Sequence, residues 1–495
     1  MMEPSLSFRR VVHVSGSLLL AGAFLLALLC LLGHSAAPAR AQAGMGVIRV
    51  AVGGADAPGC GDAITPCATV QYAVDQAQLG DEIRVATGTY TDVHARGGIT
   101  QVVYISKPVT VRGGYTTTNW LTSHPITQPT TLDAGGRGRV LVIRRPFLAT
   151  SRQAITPTVE GLSLSGGDAA GLGGSASGDD AGGGVYVLET AVTISGCVIY
   201  RNTASTAADG YGGGLYLFKS DATLEGNKVI SNTASTVGSG YGGGLYLFSG
   251  LAMLQGNTVQ GNIASVAGQG YGGGAYLSYS DATLEGNMVV SNTGSTTNKG
   301  YGGGLYLTKS DAALQGNRVS ANISSAGDDG YGGGLYLRES DARLECNVIL
   351  SNTASTTGWA IGRGGGFYLF DSSAMLMGNT VRGNAASAGF EGGKGAGGGL
   401  YLAHSAATLK GNQVISNTAT MSPTATGWGG GLYVYESRGF TLINNLVAGN
   451  HANAAGSGMW FGGSSSGRLL HTTIADNGST ALTTGGSTAL TTGGS

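Results

Sequence analysis

The stretch Tyr211-Gly212-Gly213-Gly214-Leu215-Tyr216-Leu217 opens a repeat that returns every 30 residues. Its triple glycine begins again at Gly242, Gly272, Gly302 and Gly332. A looser copy begins at Gly182, and three later copies begin at Gly364, Gly397 and Gly429, with spacings stretched to 32 or 33 residues. A fixed period of this length is typical of solenoid proteins, in which each repeat packs only against its neighbours.

Copies within one chain show which positions of the repeat tolerate change. The slot of Leu217 is aliphatic in every copy, whereas the slot of Phe218 holds aromatic, small, polar and charged residues. Inside and outside therefore alternate with period two, which indicates a strand. The slots of Leu224 and Val229 mark a second and a third short strand. Three short strands per 30-residue coil predict an all-β fold, a right-handed parallel β-helix.

Two columns of asparagine recur at the turns between the predicted strands. Asparagine accepts a left-handed backbone, and its side-chain amide can bond to the same amide in the next coil. We therefore expect two structural ladders along the solenoid. Their most regular members are Asn227, Asn257, Asn287, Asn317 and Asn347 in one column and Asn232, Asn262, Asn292, Asn322 and Asn352 in the other.

The start of each repeat, as in Gly212-Gly213-Gly214-Leu215, and the asparagine turns resemble the right-handed β-helix proteins of the pectin-lyase-like superfamily. Among these, the repeats are most similar to the passenger repeats of chlamydial polymorphic outer membrane proteins. Those repeats carry a Gly-Gly-Ala-Ile-like tetrapeptide and a Phe-x-x-Asn motif. Here the tetrapeptide is Gly-Gly-Gly-Leu, and Leu mostly replaces Phe, as in Leu224-Glu225-Gly226-Asn227. The resemblance covers roughly residues 47–478 and implies this fold and an adhesin-like role.

The chain divides into five segments. The first reads as a signal peptide, because Arg9 and Arg10 precede an apolar run that ends in small residues. The alternative for this segment is an uncleaved membrane anchor. A short amphipathic helix before the first coil is expected to cap its exposed strand edges. The segments are the signal peptide 1–43, an N-terminal cap 44–80 with its helix over 68–79, irregular coils 81–181, regular repeats of 30–33 residues over 182–478, and a low-complexity tail 479–495.

Four cysteines follow the predicted signal peptide, and two of them lie close together in sequence. Cys60 and Cys67 flank a turn, and a close pair in an exported chain predicts a disulfide. Two cysteines without histidine nearby do not make a zinc site. Cys197 takes an asparagine slot and Cys346 a glycine slot, and we expect both to be buried thiols.

Composition and charge argue against nucleic-acid binding. The chain has 495 residues, 90 of them glycine, with 11% charged residues and a net charge of −1. It lacks the clustered lysine and arginine that nucleic-acid binding requires. We expect a secreted or cell-surface protein with no membrane span in the mature chain and no cofactor.

The sequence offers little for catalysis. Asp179-Asp180 and Asp328-Asp329 are the two Asp-Asp pairs, and both lie in glycine-rich stretches. The other motifs of polygalacturonase-like glycoside hydrolases, which need two spaced carboxylates, are missing. We therefore predict no catalytic residues and no enzyme. The alternative is a polysaccharide lyase or glycoside hydrolase of the pectin-lyase-like superfamily.

Three aspartates, Asp281, Asp311 and Asp341, recur in one slot at the turn into the second strand. Stacked carboxylates repel one another unless a cation or a hydrogen bond relieves them. The column is therefore either bonded to nearby backbone amides or a weak calcium site.

A tyrosine column is the main candidate for binding. Its members share an outward slot, where stacked rings suit a sugar chain or a protein partner. The alternative is that the rings stack on one another for stability. The sequence thus predicts an adhesin-like or structural protein that contacts a polysaccharide or surface protein through this column, represented by Tyr216, Tyr246, Tyr276, Tyr306 and Tyr336.

Overall fold

A computed structural model of the chain describes residues 46–96, 98–145, 155–389, 392–478, 482–484 and 489–493. The predicted signal peptide, 1–43, lies outside the described residues. In the described part of the chain, no helix is long and apolar enough to cross a membrane.

Each regular coil crosses three long sheets that enclose the core. In one coil the three strands are Leu215–Phe218, Ala222–Glu225 and Lys228–Ile230. Each strand pairs in parallel with the same residues of the next repeat, as Leu217 does with Leu247. Strands that recur in this way, joined by crossovers of the usual hand, form a right-handed parallel β-helix. The predicted fold class is confirmed.

The three core sheets are named I, II and III and are bounded as follows within the described ranges. Sheet I contains Val47–Val50, Glu82–Ala86, Thr110–Tyr115, Thr158–Glu160, Val192–Ser195, Ala222–Glu225, Ala252–Gln255, Thr283–Glu285, Ala313–Gln315, Arg343–Glu345, Met375–Met377, Thr408–Lys410, Arg438–Ile443, Ser466–Leu470 and Ala489–Gly493. Sheet II contains Gly88–Tyr90, Thr130–Asp133, Leu162–Ser165, Val198–Tyr200, Lys228–Ile230, Thr258–Gln260, Met288–Val290, Arg318–Ser320, Val348–Leu350, Thr380–Arg382, Gln413–Ile415, Leu446–Ala448 and Thr473–Ala475. Sheet III contains His94–Arg96, Ile99–Ile105, Arg139–Arg144, Val185–Leu188, Leu215–Phe218, Leu245–Phe248, Ala275–Ser278, Leu305–Thr308, Leu335–Arg338, Phe367–Phe370, Leu400–Ala403, Leu432–Tyr435, Met459–Gly462 and Leu482–Thr484.

The regular coil has five strands, not the three that the sequence predicts. The segment expected to be a polar loop forms two more short strands, such as Thr233–Ser235 and Gly240–Tyr241. Its small residues are internal: Ala234 and Ser235 are buried, and the Ser235 hydroxyl donates to the Ala208 carbonyl at 2.7 Å. Small side chains let this backbone lie close to the neighbouring backbone, so a composition that reads as a loop forms sheet.

These additional strands form sheets IV and V. Within the described residues, sheet IV contains Thr203–Ser205, Thr233–Ser235, Ile263–Ser265, Thr293–Ser295, Ile323–Ser325, Thr353–Ser355, Ala385–Ser387 and Thr418–Thr420. Sheet V contains Asp180–Ala181, Gly210–Tyr211, Gly240–Tyr241, Gly270–Tyr271, Gly300–Tyr301, Gly330–Tyr331, Ile361–Arg363, Lys394–Ala396 and Gly427–Trp428.

A short helix lies at the N-terminal end of the solenoid. Helix α1 spans Val70–Gln76, which is shorter than the predicted 68–79. The side chain of Thr69 caps it by accepting the backbone N–H of Tyr72, and Ala77 ends it in an extended conformation. Its buried residues include Val70 and Val74, which join the core against the first strands.

The described residues of the predicted tail are not separate from the solenoid. Leu482–Thr484 pairs with Met459–Gly462, and Ala489–Gly493 pairs with Ser466–Leu470. The Thr-Ala-Leu-Thr-Thr unit has the β-propensity to extend the sheets, although its low complexity suggested otherwise.

Candidate functional site

The tyrosine column lies on the outer face of sheet III, but its rings are not exposed to solvent. Tyr216 exposes 1% of its surface, Tyr246, Tyr306 and Tyr336 are also buried, and Tyr276 is half-buried. Ring centroids of successive members lie 4.8–5.3 Å apart, and their planes differ by no more than 10°. The rings thus stack on one another, which is the second alternative for this column, and the expectation of an accessible binding surface is wrong. Period two gives the side of a strand on which a residue lies and not what covers that side.

A second tyrosine column provides the cover. Its members, which lie on sheet V, stack on one another and present ring faces or edges to the first column. The Tyr241 ring, for example, stands perpendicular to the Tyr276 ring with 5.8 Å between centroids. Edge-to-face contacts of this kind are favourable between aromatic rings. The cover consists of Tyr211, Tyr241, Tyr271, Tyr301 and Tyr331.

Burial dominates the electrostatics of the first column. It raises the pKa of the Tyr216, Tyr246, Tyr276 and Tyr336 hydroxyls, and it raises the pKa of Tyr306 to about 12. These hydroxyls stay protonated near neutral pH, so they can donate hydrogen bonds but cannot serve as bases.

An arginine lies at one end of the tyrosine stack, and a tryptophan lies at the other end. The Arg139 guanidinium lies 4.6 Å from the Tyr186 ring centroid and donates to the Ala181 carbonyl at 2.9 Å. Burial lowers the pKa of Arg139 to about 10, which leaves it charged near neutral pH. At the other end, Trp460 stacks on Tyr433 with 4.3 Å between centroids.

The asparagine columns form continuous ladders. The side-chain amide of Asn257 donates to the Asn287 side-chain oxygen at 3.0 Å and to the Leu224 carbonyl at 2.8 Å. Its own side-chain oxygen accepts the backbone and side-chain N–H groups of Asn227. The same pattern repeats in both columns, through Asn227, Asn257, Asn287, Asn317 and Asn347 and through Asn232, Asn262, Asn292, Asn322 and Asn352.

A serine ladder accompanies them and was not anticipated from the sequence. The Ser280 backbone N–H donates to the Ser310 hydroxyl at 2.9 Å, and Ser310 repeats this bond to Ser340 at 3.0 Å. The signal was present, since serine precedes each aspartate of the predicted calcium column.

The aspartate column is bonded to backbone. The Asp281 carboxylate accepts the backbone N–H of Asp311 at 2.9 Å, and the Asp311 carboxylate accepts that of Asp341 at 2.7 Å. Asp341 in turn accepts the N–H of Ser373. Each carboxylate thus links its coil to the next one. Of the two alternatives for this column, the structure has bonding to backbone amides, which gives the aspartates a structural role.

The cysteines differ from expectation at one position. Cys60 and Cys67 form a disulfide with their Cα atoms 5.0 Å apart. Cys197 is buried, which raises the pKa of its thiol to about 12. Cys346 is exposed, contrary to the prediction. It replaces a turn glycine and adopts a φ of 52°, and this turn directs its side chain outward.

A charged cluster in the first coils was missed by sequence reasoning. On the outer face of sheet I, Arg112 bonds Glu82 through Nη1 at 2.8 Å and Glu160 through Nε. Arg84 bonds Glu82 at 2.8 Å and donates to the Trp120 carbonyl at 2.6 Å. The hydrogen bond to Glu160 raises the pKa of Arg112. These residues lie in irregular coils of unequal length, so no sequence period marks their common column.

An open cavity of about 420 Å³ adjoins this cluster. Its lining includes Arg112, Tyr115, Glu160, Leu121 and Pro125. Both carboxylates of the cluster are already bonded to Arg112. The one carboxylate of the cluster that lines the cavity, Glu160, is therefore already held in an ion pair with Arg112.

Comparisons with known proteins agree with the architecture. A family model described as a right handed beta helix region matches residues 157–319. No curated protein sequence matches significantly. The resemblance to chlamydial polymorphic outer membrane proteins stays a prediction.

Three solved structures illustrate the likeness. XylC in complex with xylose shares 9% identity, with 88% of this chain and 86% of that chain covered and a TM-score of 0.37. PfbA, a surface adhesin of Streptococcus pneumoniae, shares 10% identity over 85% and 84% of the chains, with a TM-score of 0.30. The pectate lyase Pel9A shares 14% identity over 88% and 80%, with a TM-score of 0.24. Likeness at this level carries no argument about function.

Proposed function

We propose that this chain is an exported, non-catalytic β-helix protein that acts outside the cell or on its surface as a scaffold that binds glycan or protein. The observation that carries the proposal is that the repeated aspartates bond to backbone. Asp281, Asp311 and Asp341 bond the backbone of the next coil instead of converging with a base around a cavity. Acids used in this way hold coils together and leave no pair poised for hydrolysis.

Export is supported by the disulfide. Cys60 and Cys67 close a short loop beside the N-terminal strand. Disulfides persist mainly in oxidising compartments, which fits the signal peptide predicted over 1–43. The binding role then belongs to residues outside the buried tyrosine column.

The test combines binding with product analysis. The full chain is incubated with a panel of polysaccharides and cell-surface proteins in calcium-containing buffer, while unsaturated and reducing-end sugar products are measured. We expect binding to at least one member without product. Product release, or failure to bind any member, contradicts the proposal.

The second candidate is a polysaccharide-active enzyme at the charged cluster. The observation in its favour is the cavity beside Arg112 and Glu160. Under this alternative, product forms and is lost in the variant Glu160→Gln, while Glu285→Gln, an exposed glutamate of the same sheet, retains it.

A further inference from the structure

Two neighbouring faces of the solenoid carry opposite charge, although the net charge of the whole chain is −1. Face I is the outer face of sheet I in five successive coils, together with the turn residues that lead into each strand. Face II is the outer face of sheet II in six successive coils. Both faces lie within the described range 155–389, face I at residues 221–225, 251–255, 281–285, 311–315 and 341–345, and face II at 228–230, 258–260, 288–290, 318–320, 348–350 and 380–382.

Face I is acidic. Four aspartates lie in the turns that lead into its strands, and three glutamates end those strands. The aspartates remain exposed to solvent while they bond to backbone. Arg343 is the one cation of this described stretch, and it forms an ion pair with Glu345. The acids are Asp221, Glu225, Asp281, Glu285, Asp311, Asp341 and Glu345. Face I therefore carries an excess of negative charge.

Face II is basic and partly apolar. Each of its charged side chains is a cation, and all of these cations are exposed, namely Lys228, Arg318 and Arg382. Aliphatic side chains that are half-buried, such as Ile230, lie between them. A partner of this face therefore needs negative charge next to apolar groups. Face I offers both, since Met253 lies among its acids and is 50% exposed.

The charges of the two faces also share a spacing along the solenoid. Glu225 and Glu285 are two coils apart, with one strand of sheet I between theirs. Arg318 and Arg382 are also two coils apart, with one strand of sheet II between theirs. Neighbouring strands lie about 4.8 Å apart, so each separation is about 10 Å along the solenoid axis. The two acids of one copy can therefore meet the two cations of another copy at the same time.

Contact between unlike faces is favoured over contact between like faces. Two copies joined through face I would put acids against acids, and two copies joined through face II would put cations against cations. Both arrangements are unfavourable, because like charges in contact repel. An unrelated acidic partner would account for the cations of face II alone. A second copy of this chain accounts for both faces, because it brings the acids and the cations together.

We propose that face II of one copy binds face I of a second copy, so that the chain self-associates side by side. This inference goes beyond the proposed function. The two contacting surfaces differ, so the interface is heterologous and each copy keeps one face free for a further copy. Face II is about 24 Å long, which is five strand spacings. The contact is therefore small, and we expect weak association that depends on protein concentration.

Sedimentation velocity of the full chain tests the inference. The weight-average sedimentation coefficient should rise with protein concentration and fall again in high salt, which screens charges. Reversal of face II in the double variant Arg318→Glu, Arg382→Glu should weaken self-association about 10-fold or more. Reversal of face I in the double variant Glu225→Lys, Glu285→Lys should do the same. All four side chains are exposed, so both variants should fold, and circular dichroism checks this.

A mixture of the two double variants gives the sharpest result. Each variant alone opposes like charges. In the mixture, the unchanged face I of one variant meets the unchanged face II of the other, so association should return. The matched control reverses two exposed cations on sheets III and V, Arg338→Glu and Lys394→Glu. It makes the same change in net charge as the face II variant and should self-associate as the wild type does.

Any of three results would overturn the inference. The first is a wild-type chain that stays monomeric over the whole concentration series. The second is self-association that both reversals leave unchanged, and the third is a mixture of the two variants that stays monomeric. If the monomeric chain instead binds heparin, and reversal of face II abolishes this binding, that face belongs to an acidic polymer. The proposed function is decided separately, by the panel of polysaccharides and surface proteins.

Discussion

Asn257 shows how a polar residue becomes part of the core. Its side-chain nitrogen and oxygen both have partners in the coils on either side. An unsatisfied buried polar group costs about 1–3 kcal/mol, so a ladder is stable only if its members continue from coil to coil. The recurrence of asparagine is therefore a requirement of the turn.

Asn257→Ala should lower the free energy of unfolding by about 3 kcal/mol. The change leaves the backbone N–H of Asn227 and the Leu224 carbonyl without their partner. Urea denaturation followed by far-ultraviolet circular dichroism measures the effect. Gln255→Ala, in the same coil but exposed, should stay within about 0.5 kcal/mol of wild type. Equal losses in both variants would contradict a structural role for the ladder.

Two glycines of the repeat are required for different reasons. A Cβ atom on Gly240 would overlap the Ala264 carbonyl, whereas one on Gly256, at a φ of +61°, would meet open space. Gly240→Ala should cost about 4 kcal/mol or more, because backbone has to move. Gly256→Ala should cost about 1–2 kcal/mol, the strain of a left-handed alanine.

Thermal and urea unfolding of both glycine variants measures this difference. The chain itself supports the smaller cost, since Cys346 occupies the slot of Gly256 in a later coil with a φ of 52°. A Gly240→Ala protein as stable as Gly256→Ala would show that sheet V tolerates a wider spacing.

At the scale of the element, the two tyrosine columns act as one structure. The rings stack in parallel within each column, and the rings of sheet V meet those of sheet III edge to face. Stacked and edge-to-face pairs add about 0.5–1.5 kcal/mol each beyond their burial. The columns therefore couple the additional strands to the core sheets.

Alkaline pH should unfold the protein through these columns. The first column continues by ring stacking from Tyr336 to Tyr401. Burial raises the folded pKa of Tyr306 and Tyr401 to about 12, above the usual value near 10 of an unfolded tyrosine. The unfolded chain then binds fewer protons than the folded one, so stability is complete below pH 10 and falls as pH rises from 10 to 12. Phenolate absorbance should rise together with loss of circular dichroism. Ionisation of all tyrosines well before unfolding would contradict the burial.

The sequence predicts the strands and the ladders of the repeat, but it does not predict that a second tyrosine column covers the first. Contacts within a coil and with its neighbours determine which residue type the slots of Leu217, Leu224 and Asn227 require. Comparison of the repeat copies therefore reveals these requirements. The burial of Tyr216 depends on sheet V, whose small residues read as loop. The cluster of Arg112 and Glu160 depends on how coils of unequal length align, which no period records.

At the scale of the whole solenoid, each coil contacts mainly the coils before and after it. Strands of sheets I, II and III pair with the same register through the regular repeats, as Leu224 does with Leu254 and Leu254 with Leu284. Stability is then close to a sum over coils and the interfaces between them. Whole coils can be removed, whereas fractions of a coil cannot.

Deletion of residues 271–300 should therefore preserve the fold. It joins Gly270 to Tyr301, which occupies the register of the deleted Tyr271, so every sheet loses one strand and keeps its pairing. We expect a soluble protein with an unchanged circular dichroism shape per residue and a cooperative thermal transition within a few degrees of wild type. Deletion of residues 271–285 is the matched control, because it joins Gly270 to Gly286 and brings sheet II residues to the place of sheet V. That protein should lose the cooperative transition, since its core-facing side chains no longer meet those of the next coil. If both deletions fold equally well, pairing between coils does not depend on the 30-residue register.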